Sequence, residues 1–254
     1  MILFKRTLPI LTGLVAFLGL FLISWWQDHI WILLALTVLA VILGLGVLAG
    51  WGADLERWGV IAISPTLFVV AAVAFMLFVQ ETWLLIMISA VTAVFIALFL
   101  EHVFRFIFAP GLYQPYALEH TSIVLHIASV YFFTTMFYGL NTFLHVPIWL
   151  LALIFFVLAI AYVYETLWVS KIPAAIAASM ALLGGWLLVQ LFVAISFLPT
   201  SFFVNAALVS VVFYVFLGVV RARLLQRLSE EVTRRYAIFG AALFVLILVT
   251  AQWV

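Results

Sequence analysis

Six ionisable side chains lie within a short stretch of a chain that otherwise has few charges. Residues 98–129 contain two glutamates, three histidines and one arginine, whereas only 7% of the 254 residues are charged. Carboxylates and imidazoles carry protons, bind metals and act as general acids or bases. With one glutamate from a later segment, these residues form what we call the Glu/His cluster: Glu101, His102, Arg105, Glu119, His120, His126 and Glu165.

Four residues of this stretch are spaced to share one face of a helix. Glu119, Ser122, His126 and Ser129 follow each other at intervals of three or four residues, and we call them the polar stripe. His126 lies about 10 Å deeper along the helix than Glu119. Ionisable groups that face lipid are costly, so the stripe is predicted to face the interior of the protein.

The remaining cluster residues lie near the same predicted membrane surface. Glu101 and Arg105 are four residues apart, which favours an ion pair within one helix. The segment carrying Glu165 returns to the same surface and is followed by Lys171. The residues of the cluster are therefore predicted to be able to come together. They would form either a working site or a buried network in which Arg105 and Lys171 neutralise the glutamates.

Three chemistries fit these residue types: metal binding, proton or ion movement, and acid/base hydrolysis within the membrane. The spacing His-Glu-x-x-His is absent from the sequence. We therefore predict no metal site and no bound cofactor, and we assign no catalytic residue. Glu101-His-Val-Phe-Arg105 resembles the Glu-Glu-x-x-x-Arg motif of CAAX-processing intramembrane proteases. Leu100 replaces the first glutamate of that motif, so the activity of the family is not transferred to this chain.

The composition identifies the elements that must position these residues. Hydrophobic residues make up 70% of the chain, and the mean hydropathy is +1.42. Soluble domains contain roughly 45–50% apolar and about 25% charged residues. Backbone groups in lipid must bond internally, and the long apolar runs do not alternate as barrel strands do. The sequence therefore predicts an all-α, polytopic membrane bundle. It contains no cysteine, which excludes disulfides and thiolate chemistry.

Nine apolar segments are predicted to cross the membrane within a single domain, 1–254, with no soluble domain. The two longest connections, near 105–117 and 223–235, are predicted to have about a dozen residues each. All ten basic residues, Arg57 among them, fall on one side if the N-terminus is cytoplasmic and the C-terminus exterior. The predicted segments are 8–26, 30–50, 58–79, 82–104, 118–140, 146–169, 174–197, 202–222 and 236–253.

The leading functional hypothesis is a non-catalytic accessory or assembly subunit of a membrane complex. Its expected protein partner would dock on the segment Arg221–Arg235, which holds half of the basic residues. One alternative is a small-solute or proton-coupled transporter that uses the Glu/His cluster. Another is a membrane-embedded, metal-dependent enzyme acting on a lipid or peptide. The expected location is a bacterial plasma membrane, and the net charge of +1 does not indicate a nucleic-acid partner.

Overall fold

The structure is a computed structural model that describes residues 2–49 and 55–251 of the chain. Within that part, nine α-helices are long and apolar enough to cross a membrane. This confirms the predicted all-α, polytopic membrane bundle. The helices are α1 Ile2–Trp25, α2 Ile30–Ala49, α3 Leu55–Met76, α4 Thr82–Phe108, α5 Ala117–Leu144, α6 Ile148–Val169, α7 Ala174–Ile195, α8 Phe202–Leu224 and α9 Glu230–Thr250.

Several helices extend beyond their apolar runs, and the two longest predicted connections are shorter than expected. α4 continues to Phe108, so 109–116 connects it to α5, and 225–229 connects α8 to α9. α9 begins early because the Ser229 hydroxyl caps it, accepting a hydrogen bond from the backbone N–H of Val232. Glu230 and Glu231 then lie in its first turn, where negative charge stabilises a helix.

The predicted segment ends at positions 50 and 253 lie outside the described residues. The same holds for the exterior position predicted for the C-terminus at Val254 and for the side chain of Arg57.

The chain divides into two compact units, Met1–Ser129 and Val130–Val254, and the boundary falls within α5. In the first unit α1 packs on α4 and α2. A Cβ atom at Gly13 would lie 2.8 Å from the Cβ of Ala97, so only glycine permits this approach of α1 to α4. The prediction of a single transmembrane domain stays a prediction.

The second unit is built around the pair α6 and α7 and an aromatic core. The ring of Phe192 stacks on Tyr138 and Phe155, with centroid distances of 4.6 and 4.8 Å. The Tyr138 hydroxyl donates a hydrogen bond of 2.7 Å to the Phe192 carbonyl. This bond gives the buried phenol a partner among the aromatic rings of the core.

Within each unit, the basic helix ends come together as the alternating topology requires. In the first unit the Lys5 ammonium lies 4.4 Å from the ring centroid of Phe108, so the start of α1 meets the end of α4. In the second unit Arg221 Nε donates a 2.9 Å hydrogen bond to Ser170 Oγ, which joins the ends of α8 and α6. The cytoplasmic location of these ends remains a prediction from the charge distribution.

That orientation is testable with single cysteines, because the natural chain has none. Glu81 and Leu228 are exposed residues in the connections α3–α4 and α8–α9. With a cytoplasmic N-terminus, Glu81→Cys reacts with an impermeant maleimide added outside intact cells, whereas Leu228→Cys reacts only after lysis. The reverse pattern would show an inverted protein. Labelling of both cysteines from one side would contradict the predicted number of crossings between them.

Candidate functional site

The centre of the candidate site is a hydrogen bond between His126 on α5 and Ser64 on α3. The His126 Nε2 atom lies 2.8 Å from Ser64 Oγ, and both residues are completely buried. α3 and α5 run in the same direction if successive helices cross the membrane in alternation, and the bond places the two side chains at the same depth.

Pro65 adds polarity to α3 beside this bond. It lies inside the helix and has no N–H, so it cannot bond to the carbonyl of Ile61 four residues earlier. Ile61 and Ser64 are three residues apart and therefore lie on the same side of α3. The site therefore combines the imidazole of His126 and the hydroxyl of Ser64 with a proline that removes one backbone hydrogen bond from α3.

Two further hydroxyls of the polar stripe flank His126 on α5. Ser122 and Ser129 are 2% and 0% exposed, and neither Oγ atom has a hydrogen-bond partner among the described residues. Other hydroxyls of α5 bond to their own helix: those of Thr121 and Thr135 donate to the carbonyl four residues earlier. A buried polar group left unpaired costs about 1–3 kcal/mol. The stripe therefore holds hydrogen-bonding capacity that the described residues do not use.

Glu119 begins the stripe at the start of α5. The residue is half-buried, and its Oε2 atom is buried without a hydrogen-bond partner among the described residues. Tyr113, in the connection before α5, interacts with this carboxylate. Burial raises the pKa of the Tyr113 hydroxyl, and the negative charge of Glu119 raises it further. The same hydroxyl accepts a 3.2 Å hydrogen bond from the Leu118 N–H.

The polar stripe thus faces the interior along its length, as its spacing predicts. It begins with a partly accessible carboxylate at the helix start and reaches a fully enclosed imidazole seven residues later.

The remaining members of the Glu/His cluster occupy different environments. Arg105 Nε lies 2.7 Å from Glu101 Oε1, which confirms the predicted ion pair within α4. His102 is half-buried, and His120 is exposed. Glu165 is completely buried but belongs to the second unit, so its approach to the other members stays a prediction.

Among the described residues, no three His, Asp or Glu side chains lie close enough together to hold a metal ion. The metal-dependent enzyme therefore stays an expectation from the sequence.

Sequence reasoning identified His126 but did not identify its partner, Ser64. A weak signal was present in the sequence: a serine beside a proline in an apolar helix. Serines are common in membrane helices, and spacing within one helix cannot show which neighbouring helix approaches it.

No protein-family model matches this chain, and no curated protein or solved structure matches it significantly. The residues of the site therefore carry the functional argument.

Two kinds of chemistry fit the geometry of this site. A histidine with hydroxyl neighbours can accept and release a proton near neutral pH. A serine hydroxyl in contact with an imidazole also has the atoms of a nucleophile and its general base. The two chemistries differ in what must reach the site. A proton moves along hydrogen bonds, whereas a hydrolysed substrate must bring a reacting carbon to Ser64.

The bond between Ser64 and His126 is expected to stabilise the fold. Ser64→Ala removes the hydroxyl that bonds to His126 Nε2. The loss of this buried hydrogen bond should lower the free energy of unfolding by about 1–3 kcal/mol. A double-mutant cycle with His126→Leu, measured by denaturant unfolding in micelles, should give a coupling energy of at least about 0.5 kcal/mol. Ser89→Ala is the matched control, because that buried hydroxyl bonds only to the Leu85 carbonyl of its own helix. Coupling near zero would contradict the bond.

Proposed function

We propose that this protein is a proton-coupled membrane transporter in which the polar stripe and Ser64 carry the proton. The observation that supports this proposal is the complete enclosure of the His126–Ser64 pair between unpaired serine hydroxyls. Because the pair is fully enclosed, a proton is the species that can most easily reach it. A proton needs no cavity, whereas a peptide or a lipid ester would need one beside Ser64.

The hydroxyls around His126 suit both protonation states of the imidazole. A neutral ring has one donor and one acceptor nitrogen, and a protonated ring has two donors. Ser64 can accept or donate because a hydroxyl does both. Ser122 and Ser129 lie four residues before and three residues after His126, so their oxygens lie on the same side of α5 and offer acceptors for a ring that has gained a proton.

Glu119 is the proposed entry point for the proton. It is half-buried at the start of α5, with one oxygen directed away from water. Ser122 lies between it and His126 on the stripe, so carboxylate, hydroxyl and imidazole follow each other over about 10 Å. Ionisable residues that face the interior of a membrane bundle in such a series are typical of proton relays.

The nine apolar helices make this a multi-pass membrane protein. We further propose a bacterial plasma membrane and a cytoplasmic N-terminus, which put Glu119 on the cytoplasmic side. The support is that alternating crossings would put all ten basic residues of the sequence on one side, and that the described connections are short.

A second candidate function is the accessory subunit whose partner docks on the segment Arg221–Arg235. The specific observation is the exposure of this segment: Arg223 and Arg234 are exposed, and Arg235 forms only an exposed pair with Glu231. The five-residue turn 225–229 brings these arginines together at one helix connection. Exposed pairs contribute little to stability, so a binding role is compatible with the fold.

The transporter proposal predicts a proton flux that depends on His126. In proteoliposomes with a trapped pH dye, the wild-type protein should relax an imposed pH gradient faster than empty liposomes. His126→Gln should lower this rate by about tenfold or more, because glutamine cannot exchange a proton as imidazole does. His120→Gln is the matched control, since His120 lies on the same helix but is exposed. Equal rates for the two variants would refute the role of His126.

The accessory-subunit proposal predicts a partner that is lost with the basic segment. Replacing Arg223, Arg234 and Arg235 by glutamine should abolish a stoichiometric second chain that co-purifies from native membranes in mild detergent. Arg105→Gln, which removes a basic residue from the last turns of α4, should leave that chain in place. Recovery of the protein alone from native membranes would contradict the proposal, as would a partner that both variants retain.

A further inference from the structure

An open cavity of about 610 Å³ lies where α1 turns into α2, at the end of the first unit opposite Lys5. Its walls include the exposed indoles of Trp25 and Trp26, the carboxylate of Asp28 and the aliphatic side chain of Ile32. Volumes of about 300–1,000 Å³ are typical of small-molecule sites that combine apolar walls with a few polar groups.

The charged and ionisable side chains of this cavity determine whether a cation or an anion would bind. Asp28 contributes a carboxylate and His29 an imidazole, and neither lysine nor arginine lines the cavity among the described residues. Indole faces attract cations, and the attraction is strongest for groups that give up water easily. A cation beside Asp28 and two tryptophans would be stabilised, and an anion would be repelled.

The apolar walls of the cavity indicate that the ligand also has an apolar part. The apolar side chains of Ile32 and Leu33 lie beside the polar residues of the turn, so the cavity has both a charged and an apolar part. A bare metal ion would leave the apolar part unused and is too small for this volume. An amine or quaternary ammonium with an attached alkyl group matches both parts.

We propose that this cavity binds an alkylammonium group, with Asp28 as the counter-ion and Trp25 and Trp26 as the aromatic walls. Two sources share that chemistry: the headgroup of an amine-bearing lipid and a free amphipathic amine. The proposal is independent of the proton-transfer role of His126, because the cavity contains none of the polar stripe.

The test is calorimetric titration of the intact protein in nonionic maltoside micelles. The probe is n-hexyltrimethylammonium, and n-hexyl sulfate is the anionic counterpart of equal chain length. The cationic probe should bind above the background of empty micelles, and the sulfate should not. Absence of binding by the cation, or equal binding of the sulfate, would overturn the proposal.

Variants identify the residues responsible. Asp28→Asn should weaken binding of the cation by about tenfold, because it removes the counter-charge. Trp26→Leu should weaken it by about threefold, since it removes one aromatic face. Both positions are exposed at the surface of the turn, so these variants should keep the thermal unfolding midpoint of the wild type.

Trp31→Leu is the matched control. This tryptophan is 78% exposed near the start of α2 but does not line the cavity. It should bind the probe as the wild type does. If it weakened binding as much as Trp26→Leu, the tryptophans would act as interfacial anchors only, and the proposal would fail.

Competition distinguishes the two sources of the ligand. Dihexanoyl phosphatidylethanolamine, added at saturating concentration, should displace the probe if a lipid headgroup is the natural occupant. Retention of the probe under these conditions would assign the cavity to a free amine. Dihexanoyl phosphatidylglycerol is the control lipid, and displacement by it alone would overturn the requirement for a cation.

Discussion

The absence of water from the hydrocarbon region is the constraint on which this structure depends. Every backbone N–H and C=O in that region must bond within the protein, and helices satisfy this requirement segment by segment. Side chains obey the same rule. Hydroxyls such as those of Thr121, Thr134 and Ser210 donate a hydrogen bond to the carbonyl four residues earlier, so their donors are satisfied. Against that background, a buried hydroxyl without a partner is a feature that needs an explanation.

The first unit contains such a feature around His126. An imidazole needs partners for both nitrogens, and one of them comes from Ser64 on a different helix. Ser122 and Ser129 remain without partners within the described residues, one turn to either side of His126. Replacement by alanine would remove the cost of two unpaired oxygens. The proposed proton transfer through His126 would use this free hydrogen-bonding capacity.

The two ends of the first unit carry different polar side chains. At one end Lys5 approaches Phe108, and the Glu101–Arg105 pair lies in the last turns of α4. At the other end the α1–α2 turn carries Asp28 between aromatic side chains. The cavity is the proposed cation site, and the charge distribution predicts that the end with Lys5 is cytoplasmic.

The sequence by itself determined the fold class, the nine crossings and the inward direction of the polar stripe. These properties are local: apolar length decides whether a segment spans the membrane, and intervals of three and four decide which residues share a face. The ion pair of Glu101 and Arg105 is local in the same sense, since both residues lie on one helix.

Only the tertiary structure decided that His126 bonds to Ser64, because that choice depends on which helix packs against α5. The same holds for the cavity around Trp26 and Asp28, because the turn between α1 and α2 must fold before these residues can enclose a volume. The extra turns of α4 and α9 are local features, since they depend on an ion pair within one helix and on a serine cap, but hydropathy does not detect them. Contacts between helices depend on the three-dimensional fit of many side chains at once, and no spacing within a single segment encodes them.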